Sequence, residues 1–251
     1  MSSLPVDLRS KKTVGGLITG ELAVAILAIA FGTFSFSTQG MAETAMLVPP
    51  PAVMEPQNSE NQLETAVVAG GCFWGVQAVF QHLKGVKGAV SGYAGGLADT
   101  AQYEMISSGS TGHAEAVKIT FDPQVINYGT LLQVYFSVAH NPTELNRQGP
   151  DTGTQYRSAI FPQSDAQKRV ADAYLKQLGD SGVFEESIVT RIETAKAFYP
   201  AEAYHQDYAT LNTDSNYIAM FDLPKIEALS CLFPELYSPK PVLVGSTMSP
   251  S

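Results

Sequence analysis

The sequence predicts an α+β fold, a two-layer sandwich with helices on one face of a mixed, mostly antiparallel sheet around a ferredoxin-like core, with long loops between the elements. Two observations carry this. Runs that alternate like strands are interleaved with runs whose apolar residues recur at helical spacing, and one pair of strands follows in direct succession. The chain of 251 residues is also 45% hydrophobic and 16% charged, which suits one ample core plus appendages.

In chain order, Arg9, Lys11 and Lys12 precede an apolar stretch densest from Leu22 to Phe31, and Gly40-Met41-Ala42 then offers small residues where a signal peptidase reads. Residues 1–42 therefore read as a secretory signal peptide or, if Val14 to Phe36 stays uncleaved, a membrane anchor. Either reading places the protein outside the cytosol or at a membrane, in a periplasmic or equivalent compartment. Residues 43–62 carry Pro49-Pro50-Pro51 and Pro56 and read as an extended, solvated linker.

The globular part is expected over 63–233. A strand at Thr65–Ala69 leads through two glycines into a helix with Val76, Val79, Phe80 and Leu83 on one face. Gly88–Tyr93 reads as a second strand, Tyr103–Gly112 as a Ser/Gly-rich loop, and Ala114–Phe121 as an alternating strand ended by Asp122-Pro123. A helix over Asn127–Val138 and a polar loop from His140 to Thr154 follow. Tyr156–Phe161 reads as a strand, and Ser164 with Gln167 forms a capping box for a helix bearing Val170, Tyr174 and Leu178. A strand at Ile188–Thr194, a short helix at Ala201–Tyr208 and a last helix at Leu223–Leu232 complete the domain. The Pro-bearing tail, 234–251, is expected to be loose.

The net charge of −9 and the lack of a long Lys/Arg run argue against nucleic acid as a partner. Two cysteines, Cys72 and Cys231, build no disulfide framework, although they allow one bridge. His113-Ala114-Glu115 lacks the Pro-Cys-x-x-Cys of a zinc deaminase, and the four histidines show no metal-site spacing. No Walker loop, dinucleotide fingerprint or internal repeat is present.

Cys72, in Gly70-Gly71-Cys72-Phe73-Trp74-Gly75, falls where strand gives way to helix. The unpaired N–H groups of a helix N-terminus favour a thiolate, so the thiol pKa is expected below its ordinary value. A buried structural cysteine is the rival reading. A thiolate attacking an electrophile needs a proton donor for the group displaced, and Glu115, opening an apolar strand, would serve if burial raised its pKa. Tyr103 and Tyr156 would supply hydroxyls or belong to the core, Asp151 would be a turn residue, and Phe73 and Trp74 an apolar wall or part of the core. Spacing leaves these alternatives open, along with a Cys-His hydrolase pairing Cys72 with His140 or His205.

Gly71-Cys72-Phe73-Trp74-Gly75, Gly109 to Glu115, Asn146-Arg147-Gln148-Gly149 with Gly153 to Ser158, and Tyr204-His205-Gln206 together resemble the A-type peptide methionine sulfoxide reductases, over nearly all of 63–233. The resemblance implies thiol-dependent reduction of methionine-S-sulfoxide, free or in proteins, with Cys72 attacking the sulfoxide sulfur and becoming a sulfenic acid. It implies Glu115 as proton donor, Tyr103 and Tyr156 as hydroxyl donors to the departing oxygen, Asp151 in the same pocket, and Phe73 and Trp74 around the substrate methyl group. No bound cofactor or metal is implied. The reductant would be thioredoxin or another external thiol, the other partners oxidised proteins, peptides or free methionine sulfoxide, and the protein a monomer. Many members carry resolving cysteines in a Gly-rich tail. Here only Cys231 is available, in an apolar helix end that suits a buried thiol as well as a resolving one. His140-Asn141-Pro142-Thr143 departs from the family's His-Asp-Pro-Thr at Asn141.

Overall fold

A computed structural model describes residues 45–55, 62–194 and 197–247; the predicted signal or anchor, 1–42, lies outside them. The central element is β1 (Glu64–Ala69), flanked by a strand on each side and paired on both at Val67 and Val68. It is followed by α1 (Phe73–Gln81), β2 (Val86–Ala94), the single turn α2 (Tyr103–Ile106), β3 (Ala114–Phe121) and α3 (Tyr128–Val134). A short hairpin of β4 (Arg147–Gln148) and β5 (Asp151–Thr152) precedes β6 (Ala159–Phe161), α4 (Asp165–Ser181), β7 (Arg191–Ile192), β8 (Phe198–Pro200), α5 (Tyr208–Leu211), α6 (Leu223–Leu232) and α7 (Val244–Thr247).

The main sheet runs β7-β6-β1-β3-β2-β8. Every pairing is antiparallel except β6 with β7. Alternation sorts the strand residues onto two faces. Ala66, Val68, Val117 and Ile119 meet the helices, joining Val79 and Phe80 of α1, Leu131 of α3 and Tyr174 and Leu178 of α4 in the main core. Val67, Ala69, Ala114, Ala116 and Phe161 form a smaller cluster with Phe198 on the opposite face. Each fully buried Val, Leu or Phe in such a core contributes roughly 1.5–3 kcal/mol, so the sheet and its helix layer form a firm platform for the loops at its end.

Ser164 caps α4 as its sequence suggests, accepting from the Gln167 backbone N–H at 3.1 Å, while Gln167 Oε1 reaches back to the N–H of Gln163. Other expectations change. The loop over 103–112 opens with the turn α2, and the strand at 156–161 pairs only from Ala159 because Thr154–Tyr156 closes into a tight helical turn. The strand at 188–194 is reduced to Arg191–Ile192. Strand β8 carried no periodic signal, being three residues long and ending in proline.

Both proline-rich segments are docked in their described parts. In 45–55 the Val48 side chain is fully buried; Ser137 Oγ accepts its N–H and Gln133 donates to its carbonyl, while Tyr174 and Gln177 of α4 donate to Pro49 and Pro50. Proline lacks an N–H but keeps a carbonyl acceptor, and the helices use it. After Phe233 the chain runs back to the end of α1. There Lys84 donates to the carbonyl of Leu236, and the N–H groups of Ser238 and Val242 meet the carbonyls of His82 and Gln81. Carbonyls at a helix end lack intrahelical partners, so this segment caps α1 and is not a loose tail.

Candidate active site

Cys72 is the N-cap of α1, half-buried where β1 ends. The chain reaches it through Gly71 at φ +88°, where an added Cβ would lie 2.5 Å from Gln148 Cβ, so only glycine fits. Beneath the turn, Tyr135 donates its hydroxyl to the carbonyl of Ala69 at 2.6 Å. Ser158 Oγ lies 2.7 Å from both His140 Nε2 and Thr190 Oγ1. This buried network fixes the backbone that presents the sulfur.

Glu115, on β3 opposite Tyr93 of β2, is 3% exposed and accepts the Phe73 backbone N–H at 3.1 Å. The acid therefore touches the first turn of the helix that Cys72 begins. Burial pushes its pKa up to about 8, leaving it a neutral carboxylic acid at neutral pH, able to give a proton.

The expected lowering of the Cys72 pKa is reversed. Burial, followed by the nearby carboxyls of Glu115 and Asp222, pushes the thiol well above its ordinary value, and the Trp74 backbone N–H offsets only part of this. The helix-end effect acts over a single turn and is opposed here by groups that come from far along the chain. With Glu115 protonated at neutral pH, burial and Asp222 remain the opposing influences. Asp222 is 1% exposed at the end of a wide helical turn, Ile218–Asp222, and sits so close to Gly75 that any side chain there would strike its Oδ1.

Tyr103 opens α2, its N–H held by Glu202 Oε1 at 3.0 Å, while the other oxygen of Glu202 accepts the Tyr93 hydroxyl at 2.7 Å. Tyr156 sits in the tight turn before β6. Burial, then the charges of Glu115 and Cys72 among others, raises the pKa of both phenols. Both stay protonated, as donors, in the electrostatic neighbourhood of the thiol and the acid. Asp151 accepts the hydroxyl of Tyr217; burial raises its pKa, and Tyr217 and Lys225 pull it back.

Phe73 is buried in the core, its ring 5.9 Å from Tyr93 and edge-on to His205 at 5.1 Å. Trp74 is half-buried and stacks on Tyr208 at 4.0 Å and 18°, meets Tyr217 edge-on at 6.0 Å, and donates from Nε1 to His205 Nδ1 at 3.2 Å. Offset-stacked and edge-on contacts are those aromatic rings prefer.

The hydrolase pairing has no base to offer. Both nitrogens of His140 are engaged, by the Tyr135 carbonyl and Ser158, and burial lowers its pKa to about 3. His205 Nδ1 accepts from Trp74, and burial lowers that pKa as well. Cys231 is exposed on α6, so of the two readings left open for it the buried thiol is not the one seen, and both cysteines are free. Among the described residues, no three metal-binding side chains cluster.

Sequence reading did not single out Asp222, Glu202, Tyr208 or Tyr217. Tyr208 was only the end of a short helix, Glu202 lies outside the regular elements, and Tyr217 and Asp222 sit at the two ends of a short helical turn; no spacing rule links them to Cys72. The assembled groups suit attack by sulfur on an electrophilic atom whose oxygen leaves with a proton, beside a cluster of aromatic rings.

A sequence model described as peptide methionine sulfoxide reductase matches residues 64–232. Peptide methionine sulfoxide reductase MsrA 2 of Mesorhizobium japonicum is 63% identical over 183 residues, 73% of this chain and 94% of that protein. The protein of the same name from a Synechocystis species is 45% identical over 216 residues, 85% of this chain and 97% of its own length. Among solved structures, methionine sulfoxide reductase A of Corynebacterium diphtheriae has a TM-score of 0.52 at 31% identity, covering 70% of this chain and 87% of that one.

Proposed function

Given that the chain belongs to the peptide methionine sulfoxide reductase family, whose reaction is the thiol-dependent reduction of methionine-S-sulfoxide and thereby protein repair, we propose how its residues divide that work. Cys72 Sγ attacks the sulfoxide sulfur while Glu115 passes its proton to the oxygen. Tyr103 and Tyr156 donate hydrogen bonds to that oxygen as charge builds on it. The oxygen, now a hydroxyl, then passes from the substrate sulfur to Sγ: the substrate sulfur–oxygen bond and the transient sulfur–sulfur bond break, a bond from Sγ to oxygen forms, and methionine leaves. Methionine sulfoxide gains two electrons, the thiol loses two and becomes a sulfenic acid, and the proton leaving the thiol restores Glu115. Phe73 and Trp74 wall the pocket for the substrate methyl group, with Asp151 on its polar side.

The observation that carries this reading is Glu115: buried, protonated to about pH 8 and bonded to the first turn of the Cys72 helix. A thiol held high by burial is slow to attack unaided, so an acid poised to neutralise the departing oxygen is what makes the reaction accessible.

For regeneration, an external thiol of the thioredoxin type, or another, reduces Cys72 directly, and Cys231 is a bystander. Leu229 anchors α6 in the core while Cys231, two residues on, faces solvent, and a disulfide would require the two sulfurs to meet at bonding geometry. The protein works as a monomer on oxidised proteins, peptides or free methionine sulfoxide, exported or membrane-attached through residues 1–42. Among the described residues, no helix is long and apolar enough to cross a membrane.

The test is multiple turnover of an S-sulfoxide by wild type, Cys72→Ser and Cys231→Ser, each with thioredoxin and with dithiothreitol. Cys72→Ser is expected to be inactive and Cys231→Ser to match wild type with both reductants. Turnover by Cys72→Ser would sink the nucleophile assignment, and selective loss of thioredoxin-driven turnover in Cys231→Ser would make that cysteine the resolving thiol.

A further inference from the structure

Trp74 is the only tryptophan of the chain, and two of its three ring partners, His205 and Tyr208, flank a residue with an unusual backbone. Asp207 adopts φ +58° and ψ 16°, and it is one of two non-glycine residues with positive φ among those described. That left-handed step reverses the chain between the tight turn Ala203–His205 and α5. It places the imidazole that accepts the indole N–H at the edge of Trp74 and the stacked phenol against the ring face. A side chain other than glycine holds such a conformation only where its surroundings fix it.

The restraints on Asp207 are specific. Its N–H donates to Gln77 Oε1 at 2.9 Å, and its Oδ1 accepts from Gln81 Nε2 at 2.6 Å. Gln77 and Gln81 are four residues apart on one face of α1, the helix that carries Trp74. The remaining bonds come from the far end of the chain: Oδ1 also accepts the Val244 N–H at 3.0 Å, and Oδ2 accepts the Gly245 N–H at 3.3 Å. The segment that supplies them is registered on the end of α1 through Leu236, Ser238 and Val242. Asp207 is thus a 6%-exposed carboxylate whose hydrogen bonds join α1, the His205–Tyr208 turn and the C-terminal segment at one point. Bonds to a carboxylate are the stronger kind.

We propose that Asp207 is a positioning residue for substrate binding, and that residues 236–245 act as a strap whose docking on its carboxylate holds His205 and Tyr208 against Trp74. The strap is then part of the binding site although it contributes no group to the pocket. This rests on the reading of Trp74 as the wall of the methyl pocket.

The test combines Val244→Pro with Asp207→Gly. The first removes the N–H that Asp207 accepts at a helix start, where proline is tolerated. The second keeps the left-handed backbone and removes the carboxylate. Two quantities are read in each: the emission of Trp74, and KM and kcat for free methionine-S-sulfoxide. The expected result is a shifted, more readily quenched Trp74 emission with KM raised about five-fold and kcat within about two-fold of wild type, the pattern of lost binding and not of lost chemistry. Emission and KM unchanged in both variants would overturn the proposal, and so would an equal fall in kcat without a change in KM. An emission shift without any change in KM would keep the strap's hold on Trp74 but remove that ring from the binding site, which separates failure of the wall assignment from failure of the strap.

Discussion

The two sides of the proposed pocket are built from different parts of the chain and by different means. The acid side is Glu115, set in the middle of the sheet on β3 between β1 and β2, with its carboxyl bonded to the backbone of α1. The aromatic side is Trp74 with Tyr208 and Tyr217, the last two drawn from short helical turns near the end of the chain. A group held by paired strands keeps its place through the main core, whereas the rings keep theirs through one another and through the segments that hold those turns. On the proposed assignment, the difference teaches that the proton donor is held by the sheet while the wall for the substrate is held by short helical turns and the segments docked on them.

The sharpest way to break the comparison is at the acid. Glu115→Gln keeps the shape and a hydrogen-bond donor but has no proton to transfer, and it is expected to slow sulfenic acid formation by about 10²–10⁴-fold, read in single turnover. Loss of KM alone would erase the distinction between the two sides.

Glu115 also marks stability with pH. Its folded pKa of about 8 lies above its ordinary value of 4.5, so between these values the unfolded chain has released this proton while the folded chain retains it. Stability from this group is therefore lost as pH rises from about 4.5 to about 8, by an amount on the order of 5 kcal/mol. Urea midpoints of wild type should fall over that range relative to Glu115→Gln; parallel curves would mean that the carboxyl ionises freely.

At the aromatic side the expected effect is smaller and of another kind. Trp74→Leu should raise KM about ten-fold while kcat stays within a few-fold, measured in steady state with free methionine-S-sulfoxide. A collapse of kcat instead would mean that the ring also orients the reacting sulfur.

The acid side was largely legible in the sequence, and the aromatic side only in part. Cys72 could be placed at a strand-to-helix junction because glycines and a 3.6-residue period are local signals, and the alternation of 114–121 pointed to a strand opening near Glu115. The thiol pKa was misjudged because the local signal, a helix N-terminus, was outweighed by burial and by Asp222, 150 residues further on, whose approach is visible only as the bare Cα of Gly75. Tyr208 and Tyr217 sit in turns too short to show a period. The proline-rich segments looked solvated because prolines interrupt their short apolar runs, yet they dock through backbone groups that composition does not register: carbonyls at Pro49 and Pro50, N–H groups at Ser238 and Val242.

The contact between the last residues of the chain and Asp207 also bears on how the protein comes into being. Synthesis runs from the N-terminus and folding follows it, so Cys72, Glu115 and their sheet partners emerge well before residue 244 is made. Until residues 236–245 dock, a nascent molecule carries Cys72 and Glu115 beside a turn that Gln77 and Gln81 of α1 hold without the strap. With the strap acting as proposed, a product that ends before these residues holds Cys72 beside an incompletely clasped Trp74.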